Sequence, residues 1–389
     1  MKISYFSTYF PYKNKSFNEK YTIGGGGVVI EALAGVLTQK GHEISIFTTS
    51  VNSKTIIEGC GNIMIYRYGT NFRVASGRFS FGLLKNSVKY PADLVHAHVT
   101  VPMGDIAGLR YAKKKKAPLV VTYHGDLQEN MGGFARRMSV YFYNKYFLDK
   151  ILSYADVIIS PSDYYIDESR FLGKYRDKIV VIPNGVYVKD FDIDYSKEEC
   201  LRKLGLPMDD EIILFVGTLG PHKGPDILLK AMSKILKNTP DAKLIFVGGG
   251  AMRKELELLS KNLGIEKHVK FAGFVEEDVK PLYYRSADVF CLPSVMKFEV
   301  FPIVLLEASA SGLPMVVSDL ETFKCIIGEG WNGIVTKKGD EKSLADAIIY
   351  LLENEDMRKK MGKKAREKVE NYSWERIAEE TEKVYEELV

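Results

Sequence analysis

Short apolar runs, each closed by Ser, Thr, Pro or Gly, recur along this chain with helical spacing between them. In the first half they are MKISYFST, EISIFTT, DLVHAHV, APLVVTYHG, ADVIISPS and KIVVIPNG, with EALAGVLTQKGH as the first helix. A strand that is apolar on both faces needs cover on both, which a parallel sheet between two layers of helices provides. From about residue 184 the chain changes character, and PNGVYVKDFDIDYSKEECLRKLGLPMDD is polar and turn-rich, so it reads as a connection carrying one short helix. The alternation then restarts with EIILFVGTL, AKLIFVGGG, VKFAGFV, ADVFCLPS, PMVVSD and NGIVTKK, with helices such as DILLKAMSKIL, MRKELELLSKNLG and IVLLEASASG between them. Two helical patterns follow, KSLADAIIYLLENEDMRKKMGKKAREKV and SWERIAEETEKVYEELV. The expectation is an α/β protein of two doubly wound parallel-sheet (Rossmann-like) domains facing across a cleft, residues 1–183 and 184–372. Ligands of such sheets bind beyond the carboxyl ends of the strands, so chemistry is to be sought in the loops there.

Composition agrees. A chain of 389 residues is long for one core and suits two. With 46% hydrophobic and 27% charged residues, it is neither a disordered chain nor a collagen-like one. Cys60, Cys200, Cys291 and Cys325 form no CxxC pair and read as small buried hydrophobes in a reducing compartment. The opening MKISYFSTYFPY turns polar too soon for a signal peptide, and no apolar run reaches the ~18 residues of a membrane span. A cytoplasmic protein is expected, at most peripheral at the inner face of the cell membrane. Charge is uneven: residues 1–183 carry 24 Lys/Arg against 14 Asp/Glu, residues 184–389 carry 30 against 36. Either the basic half meets lipid headgroups, a phosphate-bearing substrate or nucleic acid, or its clusters, chiefly Lys113 to Lys116, are a solvated loop.

Several segments carry residue types suited to chemistry. Gly24 to Gly27 lie between the loop after the first strand and the first helix, where glycine allows close backbone approach and free helix N–H groups attract an anion. The run is not GxGxxG and no acidic residue ends EISIFTTS, which disfavours a dinucleotide dehydrogenase. In TYHGD, His124 and Asp126 stand at a strand end; a neutral imidazole there can bond a sugar hydroxyl, or simply be satisfied by backbone in a turn. His96 and His98 alternate along DLVHAHV and so share a face, but no third ligand suggests a metal. Lys223 in VGTLGPHKG sits in a glycine-flanked loop before a helix, a point charge suited to a diphosphate. In SVMKFEVFPIVLLEASASG, Glu307 lies among Ile303, Val304, Leu305, Leu306 and Ala308, where an unpaired carboxylate is costly to bury. Two vicinal hydroxyls of a ribose would meet that cost. Pro302 falls where the helix starts, leaving the amides of Ile303 and Val304 for a phosphate.

Taken in this order and spacing, these segments resemble glycosyltransferase family 4, the retaining, nucleotide-sugar-dependent enzymes of the GT-B fold. The likeness runs over nearly the whole chain: Gly24 and Gly25, the HGD turn, PNGV at 183–186, VGTLGPHKG, VGGG at 247–250, AGF at 272–274, the two glutamates Glu299 and Glu307, and the closing NYSW helix. The resemblance implies that Lys223 binds the donor diphosphate, Glu307 the ribose and Glu299 the hydroxyls of the transferred sugar. It has Gly24 and Gly25 face the phosphates, His124 contact the sugar near the reacting carbon, and Gly273 and Phe274 hold the base edge. Phe301, Ile303 and Val304 complete the donor set, with His124, Lys223 and Glu299 as the catalytic residues. The last helix, 373–389, would pack back on the N-terminal domain. Two positions depart from the family pattern. Thr218 stands where many members have arginine, so His222 or loop amides must compensate, and Pro302 replaces a glycine, removing one amide donor.

The implied reaction is metal-independent and uses no cofactor. A UDP- or GDP-linked sugar leaves its diphosphate while an acceptor hydroxyl attacks the same face, and cations and amide dipoles carry the charge of the leaving group. MGGFARRMSVYFYNKYFLDKIL, which mixes Arg136, Arg137, Lys145 and Lys150 with Phe and Tyr, suits an anionic membrane and a lipid-linked acceptor, or else packs on its own domain. Nucleic acid is not an expected partner. A nucleotide-sugar epimerase and a degenerate sugar-nucleotide-binding module are the competing functions.

Overall fold

A computed structural model describes residues 1–12, 25–75, 77–208, 210–297 and 299–389. The chain forms two compact units: Met1–Asn184 together with Trp374–Val389, and Gly185–Ser373. In the first unit the strands are β1 (Lys2–Phe6), β2 (Glu43–Thr49), β3 (Ile56–Cys60), β4 (Ile63–Tyr68), β5 (Phe72–Val74), β6 (Gly77–Phe79), β7 (Leu94–Val99), β8 (Leu119–Tyr123), β9 (Val157–Ser160) and β10 (Ile179–Val181). Eight of them make one sheet in the order β10-β9-β8-β7-β1-β2-β4-β3, and β5 pairs with β6 as a separate ribbon. In the second unit β11 (Glu211–Val216), β12 (Ala242–Val247), β13 (Val269–Gly273), β14 (Val289–Leu292), β15 (Met315–Ser318) and β16 (Gly333–Thr336) make a sheet in the order β13-β12-β11-β14-β15-β16. All its pairings are parallel.

The apolar runs explain the layering. Every residue of β7 and β14 is buried, as is all of β11 after its first residue, because helices cover both faces. Across three neighbouring strands of the second sheet Phe246 stacks on Phe271 and meets Phe215 edge to face. In each sheet the strand order reverses direction once, between β1 and β7 and between β11 and β14. Those are the switch points where the flanking loops splay apart and leave room for a ligand.

Some local expectations need correction. The first sheet has an antiparallel edge: β3 and β4 form a hairpin around Gly61 and Asn62, with Gly61 at φ 58°. Lys113, Lys114 and Lys115 are not a loop but the last turn of the Gly104–Lys115 helix, where cations complement the carbonyl end of the dipole. Gly25, Gly26 and Gly27 belong to the first helix, Gly25–Gln39. The long helical pattern after residue 340 breaks at Asn354 into Glu341–Glu353 and Glu355–Val369. Cys200 and Cys291 are buried but Cys325 is half-buried, and the Cys60 side chain lies outside the described residues. Counting Trp374–Val389 with its unit brings the first unit to 26 Lys/Arg against 20 Asp/Glu, so the acidic last helix offsets part of the basic excess.

Candidate active site

The candidate residues of the second unit come from the carboxyl ends of four adjacent strands, β13, β12, β11 and β14. After β11 the chain passes Gly217 and Thr218 and makes a short helical turn, Pro221–Lys223, ending at Gly224. The loops after β11 and β12 touch backbone to backbone: a Cβ on Gly248 would come within 2.1 Å of the Gly217 carbonyl oxygen. The stem of Lys223 lies over Gly217, and its Nζ reaches Glu299 Oε1 at 2.8 Å. Glu299 stands in the loop after β14, so this ion pair straddles the switch point of the sheet. Both side chains are mostly buried, at 14% and 10% exposure, which strengthens their attraction relative to a surface pair.

Thr218, on the exposed side of the same loop, offers a hydroxyl in place of a guanidinium. His222 Nε2 lies 3.8 Å from Glu299 Oε1, but burial, reinforced by Lys223 and opposed by Glu299, lowers its pKa. It therefore stays neutral near pH 7.

Glu307 is 6% exposed on the helix Ile303–Ala310. The expectation that a ligand must meet its burial cost is overturned. Lys280 Nζ donates to Oε1 and the Tyr284 hydroxyl donates to Oε2, both at 2.7 Å, so the protein itself solvates the carboxylate. Burial, with the Glu307 charge beside it, holds the Tyr284 phenol well above its usual range. Lys280 and Tyr284 come from the helix Lys280–Ser286, and KPLYYRS gave no sequence signal beyond its Lys and Tyr sharing a helical face at i, i+4. Each oxygen of Glu307 keeps a second lone pair for another donor. Pro302 is the residue before the first helical turn rather than within it, and the N–H groups of Ile303 and Val304 open that turn. Phe301 is buried with its ring against Tyr372, 5.7 Å between centroids. Gly273 ends β13 at φ 75°, a conformation that disfavours any side chain, and Phe274 beside it is 71% exposed.

In the first unit His124 follows β8 and is stacked on His98 of β7, its Nε2 2.8 Å from His98 Nδ1. Burial pushes the His124 pKa down to about 4 and that of His96 to about 3, and holds His98 well below its usual value. His96 and His98, which share a face of β7, are both fully buried. Gly24 lies outside the described residues, and Gly25 begins the first helix. The glycine that meets His124 is Gly26. A Cβ there would come within 2.6 Å of Thr100 Cγ2 and 3.4 Å of His124 Nε2. The four-glycine run signalled a close approach but not which glycine makes it. Asp126 is spent on structure, accepting hydrogen bonds from the Tyr123 hydroxyl, the Ser169 hydroxyl and the Arg170 amide.

Comparison with known proteins identifies the relatives of the chain. Residues 196–368 match the family model described as glycosyl transferases group 1, and residues 23–190 match that of glycosyltransferase family 4. An uncharacterized glycosyltransferase of Methanocaldococcus jannaschii is 32% identical over 377 residues, covering 93% of this chain and 94% of that one. A phosphatidyl-myo-inositol mannosyltransferase of Mycolicibacterium smegmatis is 28% identical over 372 residues, 93% of this chain and 90% of its own. Among solved structures, Anabaena HepE in complex with UDP-glucose has the same fold, with a TM-score of 0.79 at 18% identity over the full length of both chains.

Proposed function

The chain belongs to glycosyltransferase family 4, and from that premise we propose that it moves a sugar from a nucleoside diphosphate to a hydroxyl acceptor, with retention at the anomeric carbon and without a metal ion. The observation that carries the reading is the Lys223–Glu299 pair at the switch point of the second sheet, with Ile303 and Val304 opening the helix that follows Glu299 in the chain. A pyrophosphate entering there takes Lys223 and the two N–H groups as its partners, and releases Glu299 to the hydroxyls of the sugar. Glu307, oriented by Lys280 and Tyr284, accepts from the ribose, while Gly273 and exposed Phe274 meet the base.

As the bond from the anomeric carbon to the diphosphate breaks, negative charge grows on the leaving oxygen, where fixed dipoles and one ammonium group stabilise it. The acceptor oxygen bonds to the same face of that carbon, and its proton leaves with the diphosphate. The same reading gives His124, Gly24 and Gly25 to sugar and phosphate contacts. The UDP-glucose bound in the HepE structure supports a nucleotide-sugar donor.

The acceptor side is read from the helical stretch that begins at Phe134. Val140, Tyr143 and Leu148 pack inward, but Phe134, Tyr141, Phe142, Tyr146 and Phe147 are exposed among Arg137, Lys145 and Lys150. Such a face suits an anionic bilayer and a lipid-linked acceptor, in keeping with the name of the mannosyltransferase relative. No helix among the described residues is long and apolar enough to cross a membrane. The test is a panel of nucleotide sugars scored for thermal stabilisation and turnover in the presence of a chelator. One donor should stabilise and turn over, and Lys223→Ala or Glu307→Ala should abolish turnover. Conversion of the sugar without any acceptor would favour the epimerase, and binding without turnover the degenerate module.

A further inference from the structure

His98 has one ring nitrogen accounted for and one not. Its Nδ1 is bonded to His124 Nε2, whereas its Nε2 is buried and has no hydrogen-bond partner among the described residues. The surroundings of the ring are Tyr5, with centroids 5.8 Å apart, and His96, at 4.4 Å. His96 is itself satisfied on both sides, by the Tyr385 hydroxyl at 2.6 Å and Thr122 Oγ1 at 2.7 Å. Burial keeps His98 and His124 neutral, so each ring carries one proton and the bond between them uses one.

Two arrangements satisfy that count. If His124 donated through Nε2, His98 would hold its own proton on Nε2 and bury an N–H with nothing to receive it. If His98 donates through Nδ1, its Nε2 is a bare lone pair instead. An orphaned buried N–H is rarer than an unsatisfied buried acceptor. We propose that His98 is a positioning residue that donates from Nδ1 and so fixes His124 with its single proton on Nδ1. His124 then offers substrate a hydrogen-bond donor and not a base. Nε2 is occupied by His98, and Nδ1 has no protein partner among the described residues on a ring that is only half-buried. Gly26 keeps the pair intact, since a side chain there would press on Thr100 and on His124 Nε2. The consequence for chemistry deepens the proposed function and rests on it: His124 steadies a lone-pair-bearing oxygen of the donor and does not take the proton of the acceptor.

Nitrogen NMR of the histidine rings in the unliganded full-length protein tests this, with the His124 signals assigned by their loss in His124→Gln. The expected spectrum shows Nδ1 protonated, the less common form of a free imidazole, together with a cross-bond signature to His98. A spectrum with Nε2 protonated, or a mixture of both forms, overturns the proposal. His98→Ala should release His124 into a mixture and lower kcat about 10- to 100-fold with little change in donor KM. His98→Asn, whose amide N–H sits near the place of Nδ1–H, should restore the single form and bring kcat to within a few-fold of the parent. Should His98→Ala fail to fold, the parent and His98→Asn spectra still decide. An unchanged His124 form and unchanged kcat in His98→Ala overturn the proposal. The spectra need no donor, so a failure of the glycosyltransferase reading would appear as absent turnover in every variant, including the parent, with the tautomer result still standing.

Discussion

Glu307 and Lys280 form a pair whose members are 8% and 13% exposed at the side chain, with Tyr284 as third partner. Removing one member of such a pair strands a buried charge, which costs about 3–5 kcal/mol, whereas an exposed pair is worth at most ~1 kcal/mol. Lys280→Met should therefore lower unfolding stability by about that amount in urea titrations, while Lys359→Met, whose exposed partner is Glu355, should leave it nearly unchanged. The histidines set a second dependence. His96 and His124 are neutral in the fold down to about pH 3 and 4, but in the unfolded chain they take up a proton below about pH 6.5. The unfolded state thus binds more protons as pH falls, so their contribution to stability is intact above pH 6.5 and shrinks from there toward pH 4. Melting temperatures measured from pH 7 to pH 4 should fall, and should fall less steeply in His96→Gln. At this scale the sequence singled out Lys223 and Glu299, which the fold pairs, because each residue type stood in a telling loop. It was not legible for Lys280, Tyr284, His98 or Gly26, because their roles arise from what packs across from them.

The helical stretch from Phe134 shows what an element adds beyond its residues. It runs through a wider π-helical turn at Asn144–Leu148 into the helix Asp149–Tyr154. Phe142 and Tyr146 stack with centroids 6.0 Å apart, and the Lys145 ammonium sits over both Tyr141 and Tyr146. The aromatic rings and the cations thus share a face. Co-sedimentation with vesicles containing anionic lipid should show binding that weakens at high salt. A Phe134→Ser, Phe142→Ser double variant should lose most of that binding and keep nucleotide-sugar hydrolysis. The strands were legible wherever a run was apolar throughout, and each of those runs is a strand. β3 and β4 were missed because IIEGC and IMIYRY mix polar with apolar positions at a sheet edge. The Gly61–Asn62 step between them was the available hairpin signal.

At the scale of the molecule, the first unit is built from two distant stretches of chain. Trp374 is 2% exposed, and Tyr385 bonds both Tyr5 and His96 in the core of that unit. Glu382 adds an ion pair to Lys40 at 2.6 Å and a contact to His42 at 2.7 Å. A chain stopped after Ser373 should leave the second unit with its nucleotide affinity while the first becomes sensitive to protease, a difference that limited proteolysis resolves. The two α/β halves were legible from the restart of the alternation after residue 184. The ties of the last helix were not, since a Tyr in an acidic amphipathic pattern carries no sign of which histidine it meets. During synthesis the half that leaves the ribosome first must therefore wait. The polar cluster around His96 stays without the Tyr385 hydroxyl until the Trp374–Val389 stretch has been translated, about two hundred residues after the last strand of that unit.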